Sequence, residues 1–165
     1  MSTAIEIKGI SPGKTLETCA RLIIVGYFRE MMSHKAGASE GADIKFVHNM
    51  RVASRRLREA MNNFVTCFKM EPFKKHYKQV RTITRTMGAV RDLDVLIARF
   101  DSYNRELNAL SAARENTEGQ RDIQGLIQHL QYERENARKP MLKLFDQLDN
   151  SDFETRFLTF FKASD

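Results

Sequence analysis

Wound as an α-helix, residues 46–68 separate into two opposed faces, and no other segment limits the fold so tightly. At about 100° per residue, Phe46, Met50, Ala53, Leu57, Met61, Phe64 and Phe68 gather on one side. His48, Arg51, Arg55 and Arg58 fall within an arc of roughly 80° on the other. A helix divided this way must bury one face against other helices and leave the second face open. Like charges three, four and seven residues apart stack along a helix and repel by a few tenths of a kcal/mol per pair. Ordinary solvated faces interleave acids, yet none occurs between Lys45 and Glu59. The row therefore calls either for carboxylates from a neighbouring helix or for an external anion. Guanidinium groups suit the second role, because they are always charged and grip phosphate oxygens in pairs, and a histidine beside them adds a donor that protonation strengthens.

The rest of the chain reads as further helices. Ser11-Pro12-Gly13 marks a turn, and residues 1–13 form a loose N-terminal arm to a single domain spanning 1–165. A first helix is expected from about Thr15 to Lys35, with Leu16, Cys19, Ile23 and Phe28 near a common face and Gly37 as its stop. A polar hinge, Gly37 to Asp43, leads into the basic helix, which ends before Pro72. A third helix runs from near Pro72 to about Leu107, with Gly88 as a local break or close-packing point. On it Lys74, Lys78, Arg81 and Arg85 share an arc of about 60°, a second basic stripe. After a hinge from Asn108 to Gln120, a fourth helix spans about Arg121 to Leu148, kinked at Pro140, with Ile123, Leu126, Ile127, Leu130, Leu142, Leu144 and Leu148 as core candidates. Asn150-Ser151-Asp152 then caps a short terminal helix carrying Phe153, Phe157, Phe160 and Phe161. The fold class is all-α: an antiparallel bundle of four long helices plus a short C-terminal helix.

Charge is segregated along this plan. From Lys45 to Arg91 twelve Lys and Arg stand against Glu59 and Glu71, a local +10 in a chain of net +6, so the remainder carries −4. That distribution points to a polyanionic partner. Cys19 and Cys67 are too few and too separated for a disulfide framework or a metal motif and read as reduced thiols of a cytoplasmic protein. Met1 to Lys14 lacks the pattern of a signal peptide, and the longest apolar run, Leu22 to Phe28, is too short to span a bilayer, so no membrane partner is expected.

Two blocks then become recognisable. Val47-His48-x-x-Arg51-Val52-Ala53-x-Arg55-Arg56-Leu57-Arg58 and, downstream, Met87-Gly88-Ala89-Val90-Arg91-Asp92-Leu93-Asp94-Val95-Leu96 closely resemble, in order and separation, the two signatures of the CHAD family, the conserved histidine α-helical domains. The resemblance implies an all-α protein whose histidine and basic residues line a surface that binds inorganic polyphosphate, in a family with members at polyphosphate granules. Carried over, it assigns anion contact to His48, Arg51, Arg55 and Arg58. Arg56 matches as well, although helical geometry turns it roughly 80° from His48 toward the flank. Arg91 and Asp92 match the second block, either as ligand contacts or as an inter-helix ion pair. Lys74, Lys78, Arg81 and Arg85 are basic where the family tends to be basic. In one respect the chain departs from the family: full domains usually contain two related helical halves, each with a His-x-x-Arg block, and His129-Leu130-Gln131-Tyr132 does not repeat it. The resemblance thus spans about the first half to two thirds of a full domain, as expected of a truncated chain, a natural short form, or one that pairs with a second copy. The four C-terminal phenylalanines offer an apolar seam for such a symmetric homodimer.

Other chemistry finds little support. Asp92 and Asp94, with Asp101 beyond, point about 200° apart on a helix and cannot share one ion without a break at Gly88. His34, His76 and His129 are isolated and read as helix-surface residues, and the methionines at helical spacing read as core filler. No Gly-rich phosphate loop, nucleophile elbow or HExxH motif occurs, and no catalytic residue, cofactor or metal is expected. The expected function is a non-enzymatic polyphosphate-binding module, cytoplasmic and associated with polyphosphate granules. A nucleic-acid-binding helical protein ranks second, since the basic face has no aromatic for stacking and only Asn49 nearby to read a base edge. An accessory subunit presenting polyphosphate or triphosphate to a hydrolase ranks third.

Overall fold

The computed structural model describes residues 5–110 and 118–162, and every regular element among them is helical. In chain order these are α1 (Leu16–Ser33), α2 (Lys35–Glu40), α3 (Ile44–Asn63), a 3₁₀ turn (Val65–Cys67), α4 (Met70–Leu110), α5 (Glu118–Asn150) and α6 (Phe153–Phe161). The hinge expected at Asn108 to Gln120 falls largely outside the described residues, although α4 reaches Leu110 and α5 begins at Glu118.

Local chemistry accounts for most boundaries. Thr15 caps α1 by accepting from the Thr18 amide at 3.2 Å, and Asp43 caps α3 by accepting from Lys45 at 2.8 Å. Gly37 is not the stop expected of it. The segment 35–40 makes a further helical turn, and the chain turns at Gly41, whose φ of 75° is the left-handed geometry that favours glycine. Gly37 is needed for a different reason, because a Cβ there would collide with the Phe46 ring. The basic helix also ends earlier than expected. Asn62 and Asn63 followed by Phe64, Val65 and Thr66 are weak helix formers, so α3 stops at Asn63 and Phe68 lies beyond the 3₁₀ turn. Pro72 sits in the first turn of α4, where proline lacks only an amide hydrogen the helix would not use. Gly88 does not break α4, and α5 runs through Pro140 without ending.

The core is one apolar cluster to which every helix contributes. On α1 the buried stripe is Ala20, Ile24, Phe28 and Met31, shifted from the expected one, and Leu16 is exposed. The α3 stripe, Val47, Met50, Ala53, Ser54, Leu57, Ala60 and Met61, is the apolar side read from the sequence, except that Phe46 remains largely exposed beside His34 and Gly37. On α4, Phe73, Val80, Ile83, Met87 and Val90 are buried at intervals of seven, three and four, and the same spacing places Asp94 in the core. Ile127 and Leu148 of α5 are buried as expected, Leu126 is exposed, and the interior adds Arg138, Met141 and Phe145. Of the methionines read as filler, Met31, Met50, Met61 and Met87 are fully buried, whereas Met70 is exposed.

The terminal helix is an integral part of this core. Phe157 stacks on Phe28 with centroids 4.0 Å apart, and Phe161 packs edge-on against Phe68 and Phe73. Burying each such ring contributes about 1.5–3 kcal/mol. Phe153, Phe157 and Phe161 are therefore covered within the chain, and of the four phenylalanines of the expected seam Phe160 alone stays partly exposed. His76, expected on the surface, is wedged among Phe157, Phe160 and Phe161 with its Nδ1 buried. Burial, with Arg156 nearby, holds its pKa below the ordinary histidine value. Nor does the N-terminal stretch stand free, since Ile5 and Ile7 lie against Gly26 of α1. No helix among the described residues is long and apolar enough to cross a membrane.

Candidate functional site: an arginine cleft between α3 and α4

With the α3 core stripe buried, the opposite face is turned toward solvent along its contact with α4. The two helices run in opposite directions, Arg51 lying over Gly88 while His48, one turn earlier, neighbours Arg91. The edge between them is a cleft of about 400 Å³ lined by Arg51, Arg55 and Arg58 from α3 and by Arg81, Thr84, Arg85 and Gly88 from α4. Five guanidinium groups thus share one small space, and no carboxylate lines it. Arg58 reaches its sequence neighbour Glu59 at 3.2 Å on the exposed rim. Arg51, Arg55, Arg81 and Arg85 have no ion-pair partner among the described residues.

Arg51 is the most constrained of the five. Its Nε is buried without a hydrogen-bond partner and lies 3.7 Å from where a Cβ on Gly88 would stand. The absence of a side chain at Gly88 lets this arginine rest against α4. A buried, unmet donor is costly in a folded protein, and here its positive charge adds to that of the four guanidiniums around the cleft. His48 closes the end of the row. Burial, then the Arg91 and Arg51 guanidiniums, hold its pKa below the ordinary 6.5, so in the free protein the imidazole is neutral near pH 7 and protonates only in more acidic solution.

The other basic residues singled out from the sequence separate into distinct positions. Arg56 turns away from the cleft and meets the buried Glu30 of α1 at 3.0 Å. Lys74 pairs with Glu71 on its own helix at 3.3 Å. Lys78 lies farther along α4 and borders a groove toward α6. Arg91 adjoins His48, and neither it nor Asp92 forms an ion pair among the described residues. The inter-helix pair belongs instead to Asp94, two residues on, which accepts from Arg134 of α5 at 2.5 Å. Burial opposes the charge on Arg134, but the hydrogen bond and charge of Asp94, with Glu135 beside it, more than offset this and raise its pKa.

A nearby guanidinium, Arg138, donates to the Ser39 carbonyl at 3.0 Å and fills the space a side chain on Gly41 would need, which ties α5 to the end of α2. Among the described residues no group of three or more His, Cys, Asp or Glu could hold a metal ion, and Cys19 and Cys67 are free thiols.

The arrangement offers five forked cations around one cleft, a donor set that matches the oxygens of an oxyanion. The sequence profile of the CHAD domain family matches residues 23–165, most of the chain and both blocks that form the cleft. The chain belongs to the CHAD family. Comparison with curated proteins and with solved structures finds no match.

Proposed function

We propose that this CHAD chain is a non-enzymatic binding module for inorganic polyphosphate, acting in the cytoplasm at polyphosphate granules. The four long helices, read as an antiparallel bundle, serve to hold α3 and α4 in the register that forms the cleft. The observation that carries this reading is the set of five arginines around one cleft without a lining carboxylate, with the buried Arg51 Nε unmet. Family membership points the same way, since CHAD domains are associated with polyphosphate- and triphosphate-related proteins.

The ligand contacts fall to Arg51, Arg55, Arg58, Arg81 and Arg85, with His48 and Arg91 at one end. Each charge-assisted contact to a phosphate oxygen contributes roughly 1.5–3 kcal/mol, so several acting together give tight binding without any covalent step. Polyphosphate fits better than nucleic acid because the cleft lining contains no aromatic ring on which a base could stack. A competition titration with polyphosphate, RNA and duplex DNA at fixed salt tests this. Polyphosphate should win at equal phosphate concentration, and equal or tighter binding of RNA would overturn the assignment.

A further inference from the structure

A second concentration of charge lies outside the cleft. Where α1, α4 and α6 meet, a groove of about 1250 Å³ is lined by Arg21, Lys69, Lys75, Lys78 and Arg156, with Glu17 the one carboxylate on its wall. Glu17 is already engaged: it holds Arg21 at 2.7 Å, and Arg21 donates onward to the carbonyls of Phe160 and Lys162 at 2.7 and 3.3 Å. That pair secures the end of α6. Lys69, Lys75, Lys78 and Arg156 have no side-chain hydrogen bond or ion pair among the described residues. These four cations, like Arg51, Arg55, Arg81 and Arg85 of the cleft, have no ion-pair partner among the described residues.

Cleft and groove are also neighbours along α4. Lys78 is one helical turn from Arg81, which lines the cleft, and with Arg156 it borders the groove. From Arg85 to Lys75 is ten residues of one unbroken helix, about 15 Å. A flexible polyanion leaving the arginine cleft past Arg81 therefore meets Lys78 next, then Lys75 and Arg156.

Building on the polyphosphate reading, we infer that the groove is a second subsite of a single anion track, so that long phosphate chains engage cleft and groove together while short ones fill the cleft alone. The two subsites differ in kind. The arginine forks fix phosphates in orientation, whereas the hydrated lysine ammoniums act as point charges that hold a mobile chain without ordering it. Once the cleft is occupied, the tethered remainder reaches the groove at high effective concentration, which raises affinity without any new contact in the cleft.

The test uses the whole chain, titrated at fixed salt with tripolyphosphate and with chains several tens of phosphates long. Lys75→Ala/Arg156→Ala should leave tripolyphosphate affinity within about twofold and weaken long-chain binding by about tenfold or more. Its salt slope for long chains should become shallower by about 1.4, the value for two fewer neutralised phosphates on a single strand. Lys69→Ala/Lys75→Ala, which leaves α6 untouched, should give the same ordering. Long-chain affinity and salt slope unchanged in both variants, with melting curves like the parent's, would overturn the track while leaving the cleft reading in place. Parent-like tripolyphosphate binding by Arg51→Ala/Arg55→Ala/Arg58→Ala would instead overturn the cleft reading, and the track with it.

Discussion

Arg55 and Arg56 stand next to each other on α3 yet belong to regions that handle charge in opposite ways. Arg56 faces α1, where the buried carboxylate of Glu30 meets it at 3.0 Å. The α4/α5 contact repeats that pattern with Asp94 and Arg134. Arg55 faces the cleft, where four further arginines gather and no carboxylate lines the wall. Where the fold needs a guanidinium to join two helices, it supplies the counter-charge from its own chain, because a buried charge left alone costs several kcal/mol. In the cleft the one counter-charge is Glu59, at Arg58 on the rim, and the groups stay partly hydrated, an arrangement whose mutual repulsion costs stability.

The sharpest way to break this comparison is to remove charge from the cleft. Arg51→Ala/Arg55→Ala/Arg58→Ala should lower polyphosphate affinity by at least about a hundredfold, since three charge-assisted contacts of roughly 1.5–3 kcal/mol each are lost. The melting temperature should hold steady or rise as mutual repulsion is relieved. A lower melting temperature with affinity near the parent's would place these arginines with Arg56, among the structural pairs.

The opposite outcome is expected on the paired side. Asp94→Ala leaves Arg134 buried without its main partner and should cost about 3–5 kcal/mol of stability in a denaturant titration. Polyphosphate affinity, measured at a temperature where the variant is still folded, should stay near the parent's. A variant as stable as the parent that binds weakly would mean that Asp94 serves the ligand site.

Much of this division was legible in the sequence and some was not, for reasons that differ by residue. The basic arc of His48, Arg51, Arg55 and Arg58 could be read because helical periodicity fixes angle, and the same arithmetic turned Arg56 to the flank. That Arg81 and Arg85 share the cleft while Lys74 and Lys78 do not depends on the antiparallel register of α3 and α4, which a stripe on one helix cannot supply. The Asp94–Arg134 pair carried a usable signal: Asp94 continues the core spacing of Val80, Ile83, Met87 and Val90, and an acid at such a position needs a cation opposite. The second signature drew attention to Arg91 and Asp92 instead. The α6 phenylalanines need cover, but periodicity says nothing about which surface supplies it; within the chain Phe28, Phe68 and Phe73 do. The role of Gly37 is hidden in the sequence for a related reason, since the Phe46 ring that demands it arrives from another helix.

His48 sharpens the comparison through pH. Its folded-state pKa lies below 6.5, so the free protein takes up this proton less readily than the unfolded chain does, and the corresponding stability, present above about pH 6.5, is lost as the pH falls through the folded value. A bound polyanion favours the imidazolium and raises that pKa, so binding becomes linked to proton uptake. Affinity for long-chain polyphosphate should therefore rise as pH drops from about 7.5 toward 5.5, by up to about tenfold for one linked proton. His48→Gln should flatten the curve while changing affinity little at pH 7.5. A parent profile that is already flat would remove His48 from the contacting set.

The smallest effect is expected at Gly88, where the two rules meet on one residue. A methyl group there would stand 3.7 Å from the Arg51 Nε, an ordinary van der Waals contact, so Gly88→Ala should fit without displacing the guanidinium. Alanine also removes the backbone-entropy cost of a glycine inside a helix, a gain of about 1 kcal/mol. For a chain of this length that corresponds to a rise of about 2–4 °C in melting temperature. Polyphosphate affinity should stay within about threefold of the parent, because the five arginines keep their positions and the cleft narrows by one methyl. Larger side chains at the same position would fill the space that Arg51 occupies against α4, and Gly88→Leu should therefore weaken binding where alanine does not. Loss of binding already with alanine would show that a phosphate, rather than Arg51 alone, comes into contact with the α4 backbone at Gly88.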